Sequence, residues 1–238
     1  MNLVAGDIII MARGLKRYYQ RGIETVKALD GVDMDLRIGE MVSILGPSGS
    51  GKTTLVNLLS CLDAPTGGTL KVAGREVLGL PEDELAGVRR GVMGFVFQKF
   101  YLLPTLTVAE NVELPLMFCR RPADRAATMA VLGQVGLEDR ASHFPRELSG
   151  GQMQRVAIAR ALVIEPRILI ADEPTGNLDS QNGEAIFALF RSLVTSRALT
   201  LVVTTHNLAL GYLSDRVLIL QDGRIVKEEP GRPAPPTR

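Results

Sequence analysis

The sequence predicts an α/β fold: a mainly parallel sheet, an antiparallel β layer near the N-terminus, and a helical lobe inserted between strands. Three observations carry this reading. Short apolar runs of strand length alternate with helix-periodic stretches, the pattern of β-α-β units. Residues 32–38, VDMDLRI, instead alternate Val32, Met34, Leu36 and Ile38 with Asp33, Asp35 and Arg37, the period of a half-buried antiparallel strand. Between Lys99 and about Ile164 the period turns helical. With 238 residues, 46% of them hydrophobic, the chain can bury a full core as one domain or a domain with a lobe.

In order, the Gly39-Glu40 turn leads into the apolar strand MVSIL, which runs into GPSGSGKTTLVNLL, a glycine loop opening a helix. TGGTLKVAGREV reads as a hairpin, and GFVF as a short buried strand ending at Gln98. TVAENVELPLMF, ADRAATMAVLGQVGL and the stretch after Leu148 then follow as helices. RILIADE restores a buried strand, before a helix whose apolar stripe is Ile186, Phe187, Leu189, Phe190, Leu193 and Val194. LTLVVTTH is the next strand. RVLILQDGRIVKEE closes the fold as a hairpin around an Asp-Gly turn, and a proline-rich tail, 230–238, is expected to be disordered.

A net charge of +1 gives no global field toward nucleic acid or anionic membranes, so no nucleic-acid partner is expected. Two cysteines cannot make a disulfide framework, and no charged leader precedes the apolar DIIIMA start, so the expectation is a cytosolic chain. No apolar run reaches membrane-spanning length. Two histidines make a His/Cys metal cluster improbable.

GPSGSGKT, Gly46 to Thr53, fits G-x-x-x-x-G-K-[ST] after a strand and before a helix, the setting of a P-loop NTPase core. Backbone N–H groups of Gly46, Pro47, Ser48, Gly49, Ser50 and Gly51 (proline excepted) would wrap phosphate oxygens. Lys52 would reach the β/γ-phosphates, and the Thr53 hydroxyl, next to Thr54, would coordinate Mg²⁺. ILIADE ends in Asp172 and Glu173, two carboxylates costly to bury unpaired. A metal resolves that: Asp172 would hold Mg²⁺ directly or through water, leaving Glu173 to orient and deprotonate the attacking water. His206 ends another apolar strand, where its imidazole could bond a γ-phosphate or that water; the Gln98 amide could touch Mg²⁺ or water.

One stretch stands apart. In ELSGGQMQRVAIARAL, Ser149 and Gln152 have capping-box spacing, yet Gly150 and Gly151 fill the first helical turn, where each glycine costs roughly 1 kcal/mol against alanine. A helix start with bare amides suits an anion, although the chain already has one phosphate loop.

Together these motifs resemble the ATP-binding subunits of ABC transporters. GPSGSGKTT is similar to the Walker A of that family, Gln98 to its Q-loop, LSGGQMQR to its signature, ILIADE to its Walker B, GNLD with Asp179 to its D-loop, and His206 to its switch histidine. The resemblance implies a RecA-like core over 1–98 and 165–229 with a helical lobe over 99–164. It also implies an ATPase using ATP and Mg²⁺, and a second copy of the chain paired head to tail. In that pair Ser149, Gly150, Gly151 and Gln152 of one copy would cap the γ-phosphate held by the other. It further implies an aromatic on adenine, for which Tyr18 and Tyr19 are available and Tyr19 fits the family register. CLDAPTGGTLKVAGREV, FVFQKFYLLPTLTVAENVELPL and ADEPTGNLDS look most like the lipoprotein-releasing and macrolide-exporting subgroup. That implies integral membrane permease subunits as partners, placing the chain on the inner face of the cell membrane, with Lys99 to Pro104 in the groove for a coupling helix. Asn207 departs from the Asp usual after the switch histidine. A soluble ABC-type ATPase is the alternative, but neither a long coiled coil nor a second cassette appears.

Overall fold

A computed structural model describes residues 6–232. Two sheets face each other. The first is antiparallel, ordered β2-β1-β4-β5, from β1 (Ile8–Arg21), β2 (Glu24–Arg37), β4 (Gly67–Val72) and β5 (Arg75–Glu76). The second is ordered β10-β9-β3-β8-β7-β6, from β3 (Met41–Leu45), β6 (Met93–Phe97), β7 (Ile168–Asp172), β8 (Thr200–Thr205), β9 (Arg216–Gln221) and β10 (Arg224–Pro230). All its pairings are parallel except β10 with β9.

The apolar runs of the parallel strands bury both faces, as a covered parallel sheet requires. Ile168, Ile170, Val202, Val42 and Ile44 pack toward the antiparallel sheet and α1 (Lys52–Leu59). Leu169, Ala171, Leu201, Val203 and Met41 turn the other way, into a cluster with α3 (Val108–Phe118), α4 (Arg125–Gln134), α5 (Gly150–Leu162) and α6 (Ser180–Arg197). The helices between β6 and β7 thus share one core with the sheet face beneath them.

Several elements differ from the reading of the sequence. β1, a strand of 14 residues, was not anticipated, and β2 begins at Glu24, well before the alternating VDMDLRI segment. Register shifts between Ala12 and Leu15 and around Arg17 break the simple period in β1. Helix α2 (Glu82–Arg89) was also unforeseen; it buries only Leu85 and Val88 and presents three acidic residues in its first turn. The expected tail does not start at Pro230. That residue closes β10, and Gly231 and Arg232 donate backbone hydrogen bonds to Asp215 and Tyr212; residues 233–238 lie outside the described residues. Among the described residues no helix is long and apolar enough to cross a membrane.

The topology sets the site. β6, β3, β7 and β8 run in one direction, so Gln98, the loop after Leu45, Asp172-Glu173 and His206 all emerge at the same carboxyl edge of the sheet, where ligands of open α/β sheets bind.

Candidate active site

A cavity of about 680 Å³ opens at this edge. Ser48, Gly49, Gly51, Lys52, Thr53, Thr54, Gln98, Glu173 and His206 line it, nine residues the sequence had singled out for chemistry. Helix α1 begins at Lys52 without a side-chain cap, so its first amides face the loop unsatisfied, a ready anion site. Gly51 precedes it with φ 103°, and a Cβ there would stand 2.5 Å from the Ala28 carbonyl oxygen; both facts demand glycine. Ser50 Oγ is buried and has no hydrogen-bond partner in the chain. Lys52 is nearly buried, and Nζ donates to the carbonyls of Gly46 and Pro47 at 2.9 and 3.0 Å. Its own loop thus holds the charge where a phosphate would compete for it. The cradle, the orphan hydroxyl and the tethered ammonium fit a polyphosphate.

On the opposite wall, Glu173 Oε1 lies 4.0 Å from Lys52 Nζ and Oε2 lies 2.8 Å from His206 Nδ1. The Glu173 side chain is 20% exposed, that of His206 70%. Glu173 takes a left-handed φ of 49°, uncommon for a residue with a side chain, though Ala73, Glu165 and Ala198 share it at ordinary turns. Thr204, unforeseen from the sequence, holds this strand end: its hydroxyl donates to Asp172 Oδ1 at 2.6 Å and accepts from the Glu173 amide at 2.9 Å. Asp172 itself does not line the cavity. Among the described residues no three His, Cys, Asp or Glu groups are arranged to hold a metal. A hard cation would therefore need phosphate oxygens beside Thr53 and Asp172 to complete its shell, which is how Mg²⁺ is usually held in such sites.

The far end of the cavity is built from Val26, Lys27 and Ala28 of β2 and from Asp222 and Gly223 of the β9–β10 turn. None of these was foreseen. The turn is stitched in place: Gly223 N–H donates to the Ser50 carbonyl and the Asp30 N–H donates to the Gly223 carbonyl. Arg224 adds an ion pair to Asp30, whose carboxyl is held at about 2 by the Tyr18 hydroxyl and this guanidinium. Tyr19 does not line the cavity. It is the cross-strand partner of Val26, on the same face of the hairpin, with its hydroxyl on Asp63 at 2.8 Å and the Arg17 guanidinium over its ring.

The second anion-ready helix lies elsewhere. Ser149 Oγ accepts from Gln152 N at 3.3 Å and Gln152 Oε1 accepts from Ser149 N at 2.9 Å, closing the capping box at the start of α5. Gly151 has a mild constraint inside the chain: a Cβ there would stand 2.6 Å from Asn182 Oδ1, so that exposed side chain would have to turn aside. Gly150 has none, since a Cβ would meet only Leu178 at 3.4 Å. Asp179 caps α6, accepting from the backbone and side-chain amides of Asn182 at 2.8 and 2.7 Å, bonds that hold its carboxyl below the usual range. None of Ser149, Gly150, Gly151, Gln152 and Asp179 lines the cavity. Asn207, which departs from the expected Asp, caps α7 (Leu208–Gly211) through Oδ1, the same bond an aspartate would make.

The sequence model of the family described as ABC transporter matches residues 29–176. An uncharacterized ABC transporter ATP-binding protein of Bacillus subtilis, YknY, is 44% identical over 94% of this chain and 98% of its own length. The macrolide export ATP-binding/permease protein MacB of Rhodospirillum rubrum is 46% identical over 93% of the chain, which spans only 34% of that longer protein. Among solved structures, the ATP-binding cassette MJ0796 of Methanocaldococcus jannaschii, dimeric in a post-hydrolysis state with ADP and Pi, matches with a TM-score of 0.85 at 43% identity over 94% of this chain and 99% of that one. With the phosphate-loop residues, Gln98, Glu173 and His206 gathered in one cavity at the carboxyl edge of the sheet, and relatives matching more than nine-tenths of the chain, one conclusion follows: the protein belongs to the ABC transporter family and is its ATP-binding, ATP-hydrolysing cassette.

Proposed function

We propose that two copies of this cassette close head to tail around two ATP molecules and that their opening and closing drives a separate integral membrane permease. One observation carries the reading: the helix start at Ser149 to Gln152, closed by its capping box but with Gly150 left bare for no internal reason, lies outside the chain's own cavity. A second copy gives it a phosphate to meet, and a self-complementary pair of patches is what a twofold dimer needs. MJ0796, similar over nearly the whole chain, is described as dimeric.

Within each cavity, Lys52 would leave the Gly46 and Pro47 carbonyls for the β/γ-phosphates. Tyr19, on the face of Val26, would stack on adenine. Glu173 would take a proton from water as the water oxygen attacks the γ-phosphorus and ADP departs, while His206, hydrogen-bonded to Glu173, would steady the water or the γ-phosphate. Mg²⁺, held by Thr53, Asp172 and Gln98, would neutralise charge on the phosphate oxygens. Loss of the shared phosphate would loosen the pair, with residues 99–164 moving against the core of 1–98 and 165–229. His206→Ala should lower kcat about tenfold or more while leaving KM within a few fold, read by steady-state phosphate release; unchanged kcat returns His206 to a surface role.

The permease reading extends the MacB relatives, whose names join ATP-binding and permease in one protein and whose cassette third this chain matches. The subgroup proposed is lipoprotein release or macrolide and peptide export, with the chain on the inner face of the membrane, seated through the groove beside Lys99 to Pro104. Tyr101 and Leu103 are exposed there. Affinity purification of the tagged chain from detergent-solubilised membranes should bring down an integral membrane protein in stoichiometric amount; recovery of the cassette alone would favour a soluble ATPase.

A further inference from the structure

Gln98 lines the cavity just beyond the end of β6, and its position is fixed from outside. Asn177, in the loop between β7 and α6, donates from Nδ2 to the Gln98 main-chain carbonyl at 2.9 Å, while Gln98 Nε2 donates to Asn177 Oδ1 at 3.4 Å. The two amides clasp each other by bonds of opposite direction, which only a group holding both a donor and an acceptor can make. Space behind them is short: a Cβ on Gly176 would stand 2.7 Å from Gln98 Nε2. Asn177 does not line the cavity and is exposed.

The two bonds are unequal. The 2.9 Å bond anchors the backbone at the point where the chain leaves the strand, and the 3.4 Å bond, at the long limit of the interaction, is the weaker hold on the side chain. We propose that Asn177 is a positioning residue for Gln98: it pins the Gln98 carbonyl and parks the Gln98 amide, which leaves Asn177 Oδ1 for the water or cation beside the γ-phosphate when ATP is bound. The inference rests on the role given to Gln98 above.

Steady-state ATP hydrolysis by four proteins tests it: Asn177→Ala, Asn177→Asp, Gln98→Ala, and Gln98→Ala with Asn177→Ala. Asn177→Ala should lower kcat roughly threefold to tenfold, the scale of one neutral hydrogen bond, with KM within about twofold. Asn177→Asp keeps the size and the acceptor but cannot donate to the Gln98 carbonyl, so its kcat should fall as far. Gln98→Ala should lower kcat, and adding Asn177→Ala should lower it no further, because a residue acting through Gln98 has nothing left to act on. Losses that multiply in the double variant, or native kcat in Asn177→Asp, overturn the inference while leaving Gln98 in place. Native kcat in Gln98→Ala removes the role of Gln98 itself and the inference with it, an outcome recognisable without any change at Asn177.

Discussion

Glu173→Gln is expected to bind ATP as the native chain does and to hydrolyse it at least about a hundredfold more slowly, the usual scale for removing a general base. The geometry makes the substitution a clean one. Gln matches Glu in shape and tolerates the left-handed backbone of this position equally, and the Glu173 amide keeps its bonds to Thr204 whatever the side chain. What is lost is the charge facing Lys52 and the proton acceptor beside His206. Single-turnover hydrolysis, with nucleotide binding followed separately by a fluorescent analogue, separates the two effects. A native hydrolysis rate would remove Glu173 from the chemistry.

In that slow background, Ser149→Arg should abolish ATP-driven dimers. The Walker A loop is untouched, so each monomer should still bind nucleotide. The new guanidinium, however, would fill the space at the start of α5 where the other copy's phosphate is proposed to dock, and would remove the hydroxyl that closes the capping box. Sedimentation of Glu173→Gln with Mg-ATP should show a dimer that Glu173→Gln with Ser149→Arg lacks. Losing the cap costs about 1 kcal/mol, too little to unfold a core of this size, so a lost dimer with an intact melting transition reports the interface. Equal dimerisation in both proteins would reduce this helix to a well-capped piece of core.

The parts of the site that could be read from the sequence are those whose signal is local. Gly46 to Thr54, Asp172-Glu173, Gln98 and His206 each follow an apolar strand, and a parallel sheet delivers all four to one edge. Ser149 and Gln152 announce their capping box by spacing alone, and the Asp222-Gly223 pair announces its turn. What spacing does not carry is which distant segment closes over a motif. Val26, Lys27, Ala28, Asp222 and Gly223 reach the cavity through pairings and hydrogen bonds far apart in sequence, and Thr204 was hidden as one more β-branched residue in a buried strand. β1 escaped notice because bulges interrupt its alternation, and α2 because a short helix with two buried residues has almost no periodic signal. Gly151 is legible in the sequence only as a bare amide for a ligand; that a side chain there would meet Asn182 follows from the packing of α5 on α6 and cannot be seen in one segment.

The way β3 is held has a consequence for synthesis of the protein. This strand carries the phosphate loop, yet its neighbours are β8 and β9: Met41 pairs with Leu201, and Val42 with Arg216. The loop's backbone is then tied by Gly223 to a turn made later still. A nascent chain that has just emerged with Gly46 to Thr53 therefore owns the complete motif and no cavity, since neither flanking strand exists. At the usual pace of roughly 5–20 residues per second, that interval lasts on the order of ten to thirty seconds. During it, Val42, Ile44 and Leu45 have no parallel partner to bury them, and pairings this distant are slow to form even once available. A ligand that needs the whole cavity could not template the early chain, because that cavity is among the last things the ribosome makes possible.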